Sequence, residues 1–262
     1  MQTSLKGSQA RESKKGDFMI TDGINEKKTE ISAYLMVGQS NMAGRGDAAD
    51  VEPIENDRCR VLRFGRWQSM REPINPDRGV FSGSPKSGIS LGASFADEMT
   101  KVTEGLVGLI PAADGGTSIN LWQPGEPCLE YAKVITSYAM KTSRIAGIIW
   151  HQGESNSRPF GAVDMEEEVY TKRLITTLDA LREQIGECVP VVIGELPRAI
   201  FDDEVGPRRM NGILHRIAEA YPNCRIASSE GLTVKKDKLH FDAVSLRELG
   251  KRYAEEMKRL LK

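Results

Sequence analysis

Apolar residues in this chain of 262 residues recur in two patterns. Five short runs are almost continuously apolar and rich in β-branched side chains: 31–37, 105–111, 145–150, 189–193 and 224–228. Such runs, bounded by turn-forming residues, predict strands buried on both faces. The segments between them carry a helical period instead. In 166–186, Tyr170, Leu174, Leu178, Leu181 and Ile185 recur every three or four positions, and in 243–261 Leu246, Leu249, Tyr253, Met257 and Leu260 do the same. Asp242 stands where an N-cap belongs. Shorter helices fit 90–101, 129–143 and 207–220. Strands alternating with helices predict an α/β fold: a five-stranded parallel sheet, covered on both faces and joined by right-handed crossovers.

The stretch between the first two runs breaks this rhythm. Residues 60–68 suit a small hairpin, and 72–88 are rich in Pro, Gly and Ser. That run is long for a routine connection. Following the first strand, it lies on the side where that strand ends, as one wall of a substrate cleft.

Charge narrows the function classes. Lys and Arg number 36 against 37 Asp and Glu, so no basic surplus argues for nucleic acid. No apolar run is long enough to span a membrane. Residues 1–28 are polar and are expected to form a disordered extension ahead of a single domain, 29–262. They lack the apolar core of an export signal. Cys59, Cys128, Cys188 and Cys224 show no paired spacing, so free thiols in the cytoplasm are expected.

In an open parallel sheet, ligands bind beyond the carboxyl ends of the strands. The first strand ends in Gly38-Gln39-Ser40-Asn41, and the second is followed by Asp114-Gly115-Gly116-Thr117. The third leads into His151-Gln152-Gly153-Glu154-Ser155-Asn156, the fourth into Gly194-Glu195, and the fifth, across a loop, into Asp237 and His240. A serine delivered to a tight turn at a strand end is placed as a nucleophile, and it needs a neighbouring base. Of the three histidines, His215 lies on a helix and reads as solvated. His151 ends a buried strand, which suits a structural role or substrate contact. His240 has Asp237 three residues before it, close enough for the carboxylate to hold Nδ1–H and leave Nε2 for the hydroxyl. Backbone N–H groups of Ser40 and of Gly115 or Gly116, with the Gln152 amide, are candidate oxyanion donors. The Gly-x-Ser-x-Gly elbow of the α/β-hydrolases is absent, because position 42 is Met.

Competing readings use the same residues. Glu154 and Glu195 pair as a glycosidase would require, although a structural Glu154 that braces its turn through backbone N–H groups fits better. His151, Glu154, Asp237 and His240 form a conceivable metal set. Trp67 and Trp122 suit packing more than sugar stacking, and Arg45 suits either substrate orientation or a surface ion pair.

The segments Gly38–Gly46, Gly115–Trp122, Trp150–Ser155 and the Asp237/His240 pair resemble, in order, the motifs of the SGNH-hydrolase superfamily. More narrowly they resemble carbohydrate esterase family six, the acetyl-xylan and sialate-O-acetylesterase-like branch. The resemblance implies a three-layer, flavodoxin-like α/β/α fold and hydrolysis of acetyl esters on small carbohydrates, with no metal or cofactor. It makes Ser40 the nucleophile, His240 the base and Asp237 its orienting acid, with Ser40, Gly115 and Gln152 as the oxyanion hole. Gln39, Asn41, Arg45, Gly116, His151 and Glu154 form the candidate substrate-contacting set. Gln152 stands where the wider superfamily has asparagine, and Asn156 where the third motif often has aspartate. A general short-chain esterase or thioesterase, and a carbohydrate-binding protein without catalysis, are the alternatives.

Overall fold

The computed structural model describes residues 30–76, 86–157 and 165–262. The expected extension, 1–28, and the middle of the 72–88 run lie outside the described residues. Strands β1 (Ile31–Gly38), β2 (Cys59–Arg63), β3 (Arg66–Ser69), β4 (Leu106–Pro111), β5 (Arg144–His151), β6 (Val191–Gly194) and β7 (Cys224–Ala227) form one sheet, in the order β3-β2-β4-β1-β5-β6-β7. Every neighbouring pair is parallel except β2 with β3.

The sheet therefore has seven strands, not five. The predicted hairpin is present, but its first strand docks on β4, with Cys59 opposite Val107 and Val61 opposite Leu109. Cys59, Val61 and Leu62 are buried, so this strand has apolar surface that only the sheet can cover. The hairpin's second strand carries exposed Arg66, Gln68 and Ser69, a polar edge of the kind that discourages further strand addition.

Helices α1 (Ser40–Ala43), α2 (Gly92–Thr100), α3 (Pro127–Met140), α4 (Glu167–Ile185), α5 (Val205–Ala220) and α6 (Ala243–Leu260) flank the sheet. Alternation along β1 feeds two cores. Ala33, Leu35 and Val37 pack with Leu129, Leu174, Leu178 and Ile213 of α3, α4 and α5. Tyr34 and Met36 pack with Phe95 of α2 and with Leu246, Leu249 and Tyr253 of α6. The result is three layers, helix on sheet on helix. Among the described residues, no helix is long and apolar enough to cross a membrane.

Asp242 caps α6, its Oδ1 accepting from the Ser245 N–H at 2.8 Å. Burial raises its pKa, but the hydrogen bonds from Thr233 and Ser245 outweigh that and hold it below the ordinary 3.8. A carboxyl depressed in the folded state stabilises above its unfolded pKa and loses that contribution as pH falls through the folded value. Asp242→Ala is thus expected to cost about 1 kcal/mol near neutrality. In parallel urea titrations, its difference from the wild type should shrink as pH drops below 3.8.

Candidate active site

Where β1 stops, the backbones of β1 and β5 pinch together. Gly38 has φ +131°, and a Cβ there would fall 2.0 Å from the carbonyl oxygen of His151. Only glycine fits. The Gln39 N–H donates to that same carbonyl at 2.9 Å, and the chain then turns directly into α1, with Ser40 as its first residue.

Three residues meet at this turn. Ser40 Oγ lies 2.9 Å from His240 Nε2, and His240 Nδ1 lies 2.9 Å from Asp237 Oδ2. The other Asp237 oxygen accepts the backbone N–H groups of Leu239 and His240, both at 3.0 Å. Burial raises the Asp237 pKa, but those hydrogen bonds and the imidazole outweigh it and hold the carboxyl below its usual range. An ionised Asp237 accepts Nδ1–H, which leaves Nε2 as an acceptor for the serine hydroxyl. The arrangement can move a proton off Ser40.

Gly115 comes close to the same turn. A Cβ built on Gly115 would stand 3.7 Å from Ser40 Cβ and 2.4 Å from Arg45 Nη2. Gly115 therefore lies against Ser40, and a side chain there would displace the Arg45 guanidinium. Among the described residues, neither the Ser40 nor the Gly115 N–H has an acceptor. Gly116, exposed and at φ +75°, turns the chain away. Gln152 is different: it is fully buried, and its two amide hydrogens serve three acceptors. These are Asn156 Oδ1 at 2.7 Å, and Gln39 Oε1 and the Thr117 carbonyl at 3.2 Å each.

Beneath the turn lies a buried polar frame. Asn41 Nδ2 donates to Glu154 Oε1 at 2.6 Å, and Asn41 Oδ1 accepts the Phe241 N–H at 3.1 Å. One asparagine so joins the nucleophile segment to the histidine segment. Tyr253 gives its only proton to the Trp150 carbonyl at 2.7 Å, so it accepts from His151 Nδ1, 3.0 Å away. His151 Nε2 faces Glu154 Oε1 at 3.4 Å. Burial pushes the Glu154 pKa up, but His151 and the Asn41 amide outweigh it and keep it below the ordinary carboxylate value.

This frame changes the substrate-contacting set. Gln39, Asn41, His151 and Glu154 are at most 2 % exposed and bond to one another's segments, so they brace the site and do not line it. Glu154 braces through Asn41 and His151, not mainly through the backbone N–H groups of its turn. Arg45 is not on the surface: it is buried, with Nη1 donating to the Gly44 carbonyl at 2.7 Å and the guanidinium against Gly115. His215 is not simply solvated, because its Nε2 lies 2.7 Å from Glu195 Oε1. The other Glu195 oxygen accepts from Ser229 N–H and Ser228 Oγ. Both carboxylates of the glycosidase reading are thus committed to structural contacts. Among the described residues, no group of three or more His, Cys, Asp or Glu could hold a metal ion.

Sequence reasoning missed Tyr170 and Tyr253, whose helical spacing marked them only as core. Their hydroxyls reach Gln152 and His151. Asn156, left without a role, holds Gln152 and the Ile119 N–H together.

A family model described as carbohydrate esterase, sialic acid-specific acetylesterase, matches residues 30–259. The chain belongs to that family. This carbohydrate esterase is also similar to a protein of Arabidopsis thaliana described as a probable carbohydrate esterase. The two are 25 % identical over 264 residues, covering 88 % of this chain and 94 % of the relative. A solved structure from Arabidopsis thaliana matches with TM-score 0.74 at 22 % identity, over 87 % of this chain and 98 % of the other. The structure of NanS matches with TM-score 0.71 at 13 % identity, over 89 % and 98 %. The esterase is a carboxylic ester hydrolase with the sialate-O-acetylesterase-like form of the SGNH fold.

Proposed function

We propose that this esterase removes acetyl groups from carbohydrate hydroxyls by acyl transfer through Ser40. The observation that carries the reading is the unbroken chain Ser40 Oγ, His240 Nε2, His240 Nδ1, Asp237 Oδ2, with both contacts at 2.9 Å. His240 takes the Ser40 proton as Oγ attacks the acetyl carbon. The oxygen that becomes negative sits against the Ser40 and Gly115 N–H groups. Gln152 is sealed beneath them, its amide committed to Gln39, Thr117 and Asn156, and it braces the segments that carry them. Each such N–H donor is worth about a hundredfold to a thousandfold in rate. His240 then protonates the departing sugar oxygen. Water, deprotonated by the same imidazole, releases acetate and restores Ser40.

Four free cysteines, two of them buried, fit a reducing compartment, and the cytoplasm is the proposed site of action. The substrate is tested with a panel of O-acetylated xylo-oligosaccharides, polymeric acetyl-xylan, O-acetylated sialic acid and non-sugar short-chain esters and thioesters. A kcat/KM at least about tenfold higher on an acetylated sugar than on simple esters is the expected result. Equal or better turnover of the non-sugar esters would replace the carbohydrate reading with that of a general esterase.

A further inference from the structure

A cavity of about 790 Å³ opens between the tip of the β2–β3 hairpin and α3, lined in part by Phe64, Asn75, Pro111, Tyr131, Val134 and Tyr138. Because β2 runs parallel to β4, the hairpin tip lies at the same end of the sheet as Ser40. The order β2-β4-β1 sets it two strand spacings to the side of β1, about 10 Å. The acetyl group and the ring that carries it occupy the first part of that span, so the ring that reaches the cavity is the one attached to the acetylated sugar. Asn75, which lines the cavity, donates through Nδ2 to the Ala113 carbonyl at 3.0 Å, two residues before Gly115.

Two features of the cavity are not what folding alone would choose. Arg63 pairs with Arg66 across a two-residue loop, Phe64-Gly65, with φ of 50° and 71°. Such loops favour Asn-Gly, and a bulky aromatic at positive φ is disfavoured. Phe64 is nevertheless 99 % exposed and lines the cavity together with half-exposed Val134 and Tyr138 of α3. In addition, Asn75 is 3 % exposed, and its Oδ1 has no donor.

We propose that this cavity is a subsite for a ring attached to the acetylated sugar, taken by its apolar face against Phe64 and Tyr138. The proposal rests on the carbohydrate deacetylase reading. It adds that the preferred substrate has at least two rings, the second being another pyranose or an aryl aglycone. Aromatic side chains present flat apolar area to the C–H face of a pyranose or to an aryl ring alike.

The test compares wild type with a Phe64→Asn/Tyr138→Ser double variant on an O-acetylated monosaccharide, the matching disaccharide and its aryl glycoside. The expected result is a fall of about tenfold in the ratio of two-ring to one-ring kcat/KM, carried by KM, from the loss of two ring contacts. A control, Val102→Ser, exposed and away from the cavity, should leave the ratio unchanged. Phe64→Asn alone should unfold at a temperature equal to or above that of wild type, since asparagine suits the loop. Loss confined to one two-ring substrate identifies which ring the site takes and supports the proposal. An unchanged ratio would overturn it, and so would a double variant that turns a wild-type dimer into a monomer, which would make this surface a self-association interface. If no acetate is released from any sugar, the deacetylase reading fails. Saturation-transfer NMR of the unacetylated disaccharide then still decides the subsite, with binding expected to wild type and lost in the double variant.

Discussion

Ser40→Ala should lower kcat for acetate release by about 10⁴-fold or more, while the unfolding temperature stays close to that of wild type. Removing a triad nucleophile alone typically costs nearly as much as removing the whole triad, because its members act as a unit. Here the proposed unit is Ser40, His240 and Asp237, linked by two 2.9 Å contacts in series. Ser40 contributes little else: its hydroxyl bonds to His240, and its backbone turn is formed by Gln39 and Gly44. Adding His240→Ala to the variant should then cost little more. Near-normal acetate release by Ser40→Ala, with substrate saturating, would remove the acyl-transfer mechanism.

The second large effect is expected far from solvent. Glu154→Ala takes the carboxylate away from Asn41, 2.6 Å distant, and from His151, 3.4 Å distant. Deleting the carboxylate leaves the buried Asn41 amide without its close acceptor and opens a cavity, and one unsatisfied buried donor alone costs about 1–3 kcal/mol. For a chain of this size that lowers the melting temperature by several degrees. Activity should suffer in the molecules that remain folded, because Asn41 also accepts the Phe241 N–H beside His240. A shift of about 1 Å in such a relay costs about a hundredfold in rate. Glu154→Gln can still accept from Asn41 while losing the charge, so it should fall between the two. Scanning calorimetry and kcat measured well below the variant's melting temperature separate the effects. If Glu154→Ala melts and turns over like wild type, the frame beneath the nucleophile has no such role.

The two cases differ in how far the sequence reaches. Ser40, Asp237 and His240 could be singled out because each sits just past an apolar run, and strand ends in a parallel sheet converge by topology. Asp237 and His240 are three residues apart, so their contact is local. The frame was not legible in the same way. Asn41, His151 and Glu154 are polar residues in the same glycine-rich ends as the reacting groups. Nothing in their spacing tells a residue that lines a cleft from one that closes the floor beneath it. Tyr253 lies on a helical stripe beside Leu246 and Leu249, and only the packing of α6 on β5 brings its hydroxyl to His151.

The extra strands make the same point about the fold. The hairpin itself is a short-range event between β2 and β3, and residues 60–68 read as one from the sequence. Its attachment to β4 pairs Cys59 with Val107, and no local pattern encodes a contact over that separation.

What the chain by itself determined is the alternation of strand and helix, the faces each buries, and the turns at which reactive side chains leave the sheet. These follow from periodicity, glycine and short-range hydrogen bonding, all of which act between near neighbours. Only the tertiary structure decided which polar groups at those turns meet solvent and which are sealed into pairs. That choice depends on the order in which strands lie side by side and on what packs above them. It is a long-range property, fixed by burial.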